Sequence, residues 1–298
     1  MHFKAAFGYL LFITTVAEYT TATTPIVLWH GMGDTCCFPF SLGSIKKILQ
    51  EKIEGVYVKS LKIGGNLIED YKSGFFIHPD KQLKDACNQI STDPQLTNGF
   101  NALGFSQGAQ FLRALAQRCP NPPMKTLVSF GGQHQGVFGL PECPSLSKQS
   151  CEYMRKVLNY AAYEKWVQKL LVQATYWHDP LNEAEYKAKS TFLADINNER
   201  TVNQTYIDNL QKLERFVMVK FLNDTIVQPI ETEWFGFYKP DQDKDILPLK
   251  ESPLYKEDRL GLRQLDADSK LVFLAIEGDH LHFTDEWLDE HIVPILKN

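Results

Sequence analysis

The stretch Gly104-Phe105-Ser106-Gln107-Gly108 constrains this chain more than any other. It is a G-x-S-x-G box set between an apolar run, Phe100 to Phe105, and a helical stretch, Ala109 to Gln117. A strand that turns sharply into a helix needs small residues on both sides of the turning position, and Gly104 and Gly108 supply them. Such an elbow lifts the Ser106 hydroxyl out of a sheet and sets it over the free N–H groups of a helix N-terminus. The five letters alone also describe an ordinary glycine-bounded turn; the flanking strand and helix are what point to a nucleophile.

The rest of the chain alternates in a way that supports this elbow. Pro25 to Trp29 reads as a strand buried on both faces, and it runs into the glycine-bearing loop His30-Gly31-Met32-Gly33-Asp34. Leu42 to Ile53 has helical spacing, Val56 to Ile63 alternates as a strand, and a break at Gly64-Gly65 precedes a helix over Lys81 to Ile90. Leu127 to Phe130 is the next strand, closed by Gly131-Gly132. Strand and helix in turn predict a mostly parallel, doubly wound α/β sheet. From about 140 to 215 the pattern is helical, and Phe216 to Leu222 and Leu271 to Ile276 then resume as buried strands. The middle is therefore expected to be a helical cap inserted between two late strands, over the strand ends where Ser106 sits. Its stripe of Trp166, Leu170 and Ala174 is expected to be core, with an apolar groove as the rival reading. Pro240 to Pro253 is expected to be a surface loop.

A chain of 298 residues, 44% hydrophobic, buries one substantial core, and its net charge of -5 without a sustained Lys/Arg run excludes a nucleic-acid partner. Lys4 followed by the apolar run Ala5 to Ala17 and small residues has the layout of a secretory signal peptide over 1–22, leaving a single catalytic domain over 23–298. The run is shorter than the roughly 20 apolar residues a membrane-spanning helix needs. Six cysteines, Cys36, Cys37, Cys87, Cys119, Cys143 and Cys151, suggest three disulfides in an oxidising compartment, with 15 pairings open. None of their spacings repeats a C-x-x-C pair, which argues against zinc. The sequons at Asn203 and Asn223 fit the same secretory route.

A serine hydroxyl is a poor nucleophile at neutral pH and needs a base, with a carboxylate to hold the base's tautomer. Asp224 directly follows the strand Phe216 to Leu222, and His280 follows the last strand in Glu277-Gly278-Asp279-His280. Ser106, Asp224 and His280 thus stand in the chain order of the α/β-hydrolase fold, each at an expected strand end. The backbone N–H groups of Gln107 and Met32 are the expected oxyanion donors. This chemistry calls for no cofactor and no metal; His280-Leu281-His282 lacks a third ligand at metal-site spacing, and His282 is expected at the rim. Asp279 is too close to His280 to reach back to its ring. His178-Asp179 is expected to form a structural turn, and His30 and His134 have no orienting acid nearby in sequence.

From about Pro25 to the C-terminus the chain resembles the lysosomal palmitoyl-protein thioesterases of the first type. The resemblance rests on His30 to Asp34 followed by Cys36-Cys37, the box Gly104 to Gly108, Gly131 to Gly139, Phe192 to Asn197, and Glu277 to Leu281. It implies removal of long-chain acyl groups, chiefly palmitate, from cysteine thioesters of proteins or peptides undergoing lysosomal degradation, with secretion as a second destination and no stable membrane span. It maps the family triad onto Ser106, Asp224 and His280, the disulfides onto Cys36 with Cys37, Cys87 with Cys119 and Cys143 with Cys151, and a glycosylation sequon onto Asn223. A lipase or carboxylesterase acting on oxygen esters would use the same triad, and a catalytically silent lipid-binding protein would share only the fold.

Overall fold

The computed structural model describes residues 23–139 and 147–297. The leader expected over 1–22, and Cys143, lie outside them. In chain order the strands are β1 (Ile26–Trp29), β2 (Val58–Ser60), β3 (Phe100–Phe105), β4 (Met124–Phe130), β5 (Arg215–Phe221), β6 (Phe237–Tyr238), β7 (Ile246–Leu247) and β8 (Leu271–Ile276). Six of them form one sheet in the order β2-β1-β3-β4-β5-β8, every adjacent pair parallel. β6 and β7 pair antiparallel as a small separate ribbon, and β7 falls within the region Pro240 to Pro253 that was expected to be loop.

The central strands are apolar without alternation because helices cover both faces. Val27, Trp29, Ala102, Leu127 and Phe216 point into one core, with Phe111 and Leu115 of helix α4 (Gln107–Arg118). Their neighbours Ile26, Leu28, Leu103, Val128 and Val217 point into the other, against Leu49 of α1 (Leu42–Lys52) and against Leu288 and Leu296 near the C-terminus. β8 differs from the expectation of a buried strand: it is the sheet's edge, and Phe273 is 37% exposed. Its apolar run reflects an edge strand that is covered on only part of its surface.

Helix α2 (Leu67–Phe76) was not among the expected elements. Its start is nevertheless encoded: the Asn66 side chain accepts from the N–H of Ile68 and Glu69 and its amide donates to Glu69 Oε1, a reciprocal N-cap. Helix α3 (Pro79–Ser91) follows, opened by Pro79. Between β4 and β5 lie α5 (Lys148–Ala161), α6 (Lys165–Leu170), α7 (Val172–Thr175), α8 (Glu183–Lys189), α9 (Leu193–Ile196) and α10 (Gln204–Leu210). Part of the stripe expected to be core is not: Ala174 is buried, but Trp166 is 56% exposed and lines an open groove with Leu170. A helical period locates an apolar face without saying whether another element covers it.

Disulfides join Cys36 to Cys37 and Cys87 to Cys119. The second ties α3 to the C-cap of α4 across a sequence separation of 32. Closing a loop of that length removes chain entropy from the unfolded state worth about 3–4 kcal/mol. The double substitution Cys87→Ser/Cys119→Ser is expected to lower the stability read from denaturant unfolding by about that amount; an unchanged midpoint would show that the bridge constrains nothing.

Candidate active site

Ser106 is the N-cap of α4 and holds φ 53°, ψ -119°, a strained conformation for a residue with a side chain. The strain is held from both sides. Its N–H donates to the Phe130 carbonyl at 2.7 Å, and its carbonyl accepts from Ala109 at 3.0 Å. The two glycines of the box are sterically required. A Cβ at Gly108 would stand 2.4 Å from the carbonyl oxygens of both Trp29 and His30, and one at Gly104 would stand 2.4 Å from the Ala109 Cα. The turn thus presses α4 against the end of β1 and points Ser106 into a cavity of about 360 Å³.

The same cavity is lined by Gly31, Met32, Ile226 and His280. No hydrogen bond joins Ser106 to His280 in this structure; catalytic contacts often tighten only when substrate is bound. His280 Nδ1 is paired with the fully buried Asp224 carboxylate through a short hydrogen bond to Oδ2. Asp224 Oδ1 accepts from the N–H groups of Ile226 and Val227, both at 2.7 Å. Burial alone would push the Asp224 carboxyl up, but its bonds to the His280 ring, to Glu233 and to these amides outweigh burial and bring it below the usual range. Asn223, next in the chain, is exposed, as is Asn203.

Two further acids support this pair, Asp279 from the motif of the base and Glu233, which belongs to no motif. Asp279 Oδ1 accepts from the His280 N–H at 2.7 Å and from the Thr225 N–H and hydroxyl at 2.9 and 2.8 Å, which staples the loop of the base to the loop of the acid. Glu233 lies fully buried behind Asp224, with Oε2 accepting from the Phe221 N–H at 2.9 Å. Burial, then the hydrogen bond and charge of the adjoining Asp224, hold the Glu233 carboxyl well above its ordinary value. Asp224, Glu233 and His280 bring ligand-type atoms within 4.8 Å of one another, but His280 Nδ1 and both Asp224 oxygens are already taken by the protein's own hydrogen bonds.

The loop after β1 is braced by the inserted helices. Gln173 of α7 donates to Met32 Sδ and to the Gly74 carbonyl, and the Tyr176 hydroxyl donates to Gln107 Oε1 at 3.1 Å. The Met32 N–H donates to no acceptor among the described residues. His30 finds its acid across the fold: Asp70 of α2, with Nε2 to Oδ1 at 3.0 Å. His134 is buried, bonded to Ser129 Oγ at 2.8 Å and stacked on Phe235, and burial holds it neutral. His178 is buried between the Gln135 carbonyl and Glu183, while Asp179 caps a short helical turn by accepting from the Leu181 N–H. His282 does not line the cavity.

A parallel sheet wound on both faces, with a serine on the sharp turn between its central strand and the following helix, defines an α/β-hydrolase. Residues 25–280 match the family model described as palmitoyl protein thioesterase. The chain is 52% identical to palmitoyl-protein thioesterase 1 of Caenorhabditis elegans, covering 95% of each chain, and 35% identical to palmitoyl-protein thioesterase 3 of Dictyostelium discoideum, covering 97% of this chain and 95% of the other. A mouse relative named lysosomal thioesterase PPT2 is 30% identical across 60% of this chain and 59% of its own. The chain belongs to the palmitoyl protein thioesterase family.

The Glu233 carboxyl yields a stability prediction. An acid whose folded value is raised contributes stability below its unfolded value, about 4.3 for glutamate, and loses it as pH rises toward the folded value. Glu233→Gln removes this dependence while keeping the shape. The Tm difference, variant minus parent, is therefore expected to grow between about pH 5 and pH 8. A difference that stays constant in thermal melts at the two pH values would show that Glu233 is not held neutral by the fold.

Proposed function

We propose that this protein hydrolyses long-chain acyl thioesters on the cysteines of proteins or peptides, palmitoyl thioesters above all, through an acyl-serine intermediate. The observation that carries the reading is that, in a chain of this family, Ser106 and the Asp224-paired His280 line one cavity. Ser106 Oγ forms a bond to the thioester carbonyl carbon as His280 Nε2 takes its proton. The carbonyl oxygen becomes an oxyanion facing the N–H groups of Met32 and Gln107, and on its collapse the C–S bond breaks and the thiol leaves with the proton from His280. Water, deprotonated by the same ring, attacks the acyl carbon; the C–Oγ bond then breaks as His280 returns the proton to Ser106 Oγ, and the fatty acid is released. Asp224 holds the ring with Nε2 free for both transfers. The proposed setting is the lysosome, reached by the secretory route; exposed Asn203 and Asn223 and the disulfides are compatible with it. No helix of the described residues is long and apolar enough to cross a membrane.

The acyl tail is proposed to lie in the apolar groove of about 700 Å³ between α2, α5 and α6, lined by Phe75, Phe76, Tyr153, Trp166 and Leu170. Gly74 lies against the Met32 Cα, so the groove wall begins one residue from the cavity wall.

A palmitoyl-cysteine peptide should be cleaved, and Ser106→Ala should lower turnover by a factor on the order of 10⁴ or more. A rapidly quenched reaction should carry the acyl group on Ser106. Cleavage of a matched oxygen ester in place of the thioester would overturn the substrate class. Separately, Leu170→Glu is expected to cut kcat/KM for the palmitoyl substrate by at least roughly tenfold while sparing an acetyl thioester, since each lost methylene contact is worth about 0.8 kcal/mol. Equal losses on both would place the tail elsewhere.

A further inference from the structure

The His30 ring meets an acceptor at each nitrogen. Nδ1 lies 2.9 Å from the carbonyl oxygen of Gly31, and Nε2 lies 3.0 Å from Asp70 Oδ1. A neutral imidazole has one N–H and one lone pair, so either tautomer would set a lone pair against an acceptor at hydrogen-bond distance in a site where His30 is 2% exposed and Asp70 is 0% exposed. A backbone carbonyl cannot become a donor. Asp70 is bonded in the manner of a carboxylate, accepting at both oxygens: Oδ1 also accepts from the Ile63 N–H at 2.7 Å and Oδ2 from the Cys36 N–H at 2.8 Å. The arrangement is satisfied when both ring nitrogens carry protons.

The Gly31 carbonyl belongs to the peptide unit whose N–H is that of Met32. In a trans peptide the C=O and N–H point in opposite directions in one plane, so a donor on the oxygen fixes where the N–H aims. A cationic donor there also polarises the amide and strengthens the hydrogen bond its N–H makes on the far side. Gly31 stands against the nucleophile, since a Cβ on it would lie 3.3 Å from the Ser106 Cβ. We propose that His30 is a positioning residue held as an imidazolium by Asp70, which through the Gly31 carbonyl aims and polarises the Met32 N–H that receives the oxyanion. This rests on the proposed role of Met32 in thioester cleavage.

The charged groups acting on the ring are Asp70 from α2 and Asp34 from its own loop, both acidic. Burial pulls the ring down, but the hydrogen bond and charge of Asp70, the Gly31 carbonyl and Asp34 together bring it above the ordinary histidine value. For a base raised in this way the contribution is complete at acidic pH and is lost as pH rises through the raised folded value. The brace is therefore present in an acidic compartment and weakens toward alkaline pH.

Two measurements test this. Nitrogen NMR of the protein carrying isotopically labelled histidine reads the protonation of His30 directly, without reference to activity. At about pH 5 to 6 both ring nitrogens of His30 are expected to be of the protonated type, persisting above the pH where an ordinary histidine, near 6.5, has titrated. The isosteric Asp70→Asn removes the anion, and is expected to lower kcat on a palmitoyl-cysteine substrate on the order of tenfold, with KM changed less than about twofold and the alkaline fall of kcat moved to lower pH. A His30 ring with a single proton at acidic pH overturns the proposal whatever the kinetics. So does a folded Asp70→Asn protein whose kcat and alkaline limb match the parent's. Absence of thioester turnover in the parent would instead fall on the proposed function, and the NMR result would still decide the state of His30.

Discussion

The structure depends on one close approach, that of α4 to the end of β1. Gly108 sits where any side chain would strike the carbonyls of Trp29 and His30, and Gly104, at the end of β3, where any side chain would strike the first turn of α4. With both Cβ atoms absent, the chain reverses within one residue, and Ser106 takes up the strained turn. A non-glycine residue held at such a φ costs on the order of 1–3 kcal/mol, which persists only where the surroundings determine it. Here they do: α4 is buried from Gln107 to Gln117, and the Ser106 N–H is tied to the neighbouring strand. The same contact sets the loop after β1 beside Ser106, so one packing event places both the hydroxyl and the amides around it.

The second constraint is electrostatic. Two carboxyls, Asp224 and Glu233, are buried side by side, and two anions at that distance in a site shielded from water repel strongly. The fold resolves this by giving them unequal surroundings. Asp224 receives two backbone N–H groups and the His280 ring; Glu233 receives one backbone N–H and, last among the influences on it, the charge of Lys220. These surroundings push the Glu233 carboxyl up and the Asp224 carboxyl down, which favours the charge on the residue that orients the proposed base.

What could be read from the sequence follows from which interactions are local. The box, the strands around it and the order of Ser106, Asp224 and His280 are legible because each is a short pattern with its own periodicity or turn chemistry. Asp70 was not legible as the partner of His30, since the two are 40 positions apart and meet only after α2 folds back on the loop. Glu233 was hidden for the same reason: it reaches Asp224 through a short helical turn after β5 that no periodicity announces. The start of α2 was present in Asn66 and Glu69, a signal outweighed by the Gly64-Gly65 break just before it. Trp166 and Leu170 show the opposite error, a real apolar face read as core because nothing in a sequence states which faces remain uncovered.

The inserted helices do more than wall a groove. Gln173 touches both the Met32 sulfur and the Gly74 carbonyl, and Tyr176 touches the Gln107 side chain, so the insertion is bonded to the two residues whose amides are proposed to receive the oxyanion. Gly74 precedes Phe75 and Phe76 of the groove, and the same helix α2 carries Asp70, which holds His30 and the Cys36 amide. A chain seated in the groove would thus lie against the element that braces the loop after β1. In the proposed reaction the unreactive tail and the loop that stabilises charge at the carbonyl would rest on one element, a route by which remote binding energy can reach the reacting centre.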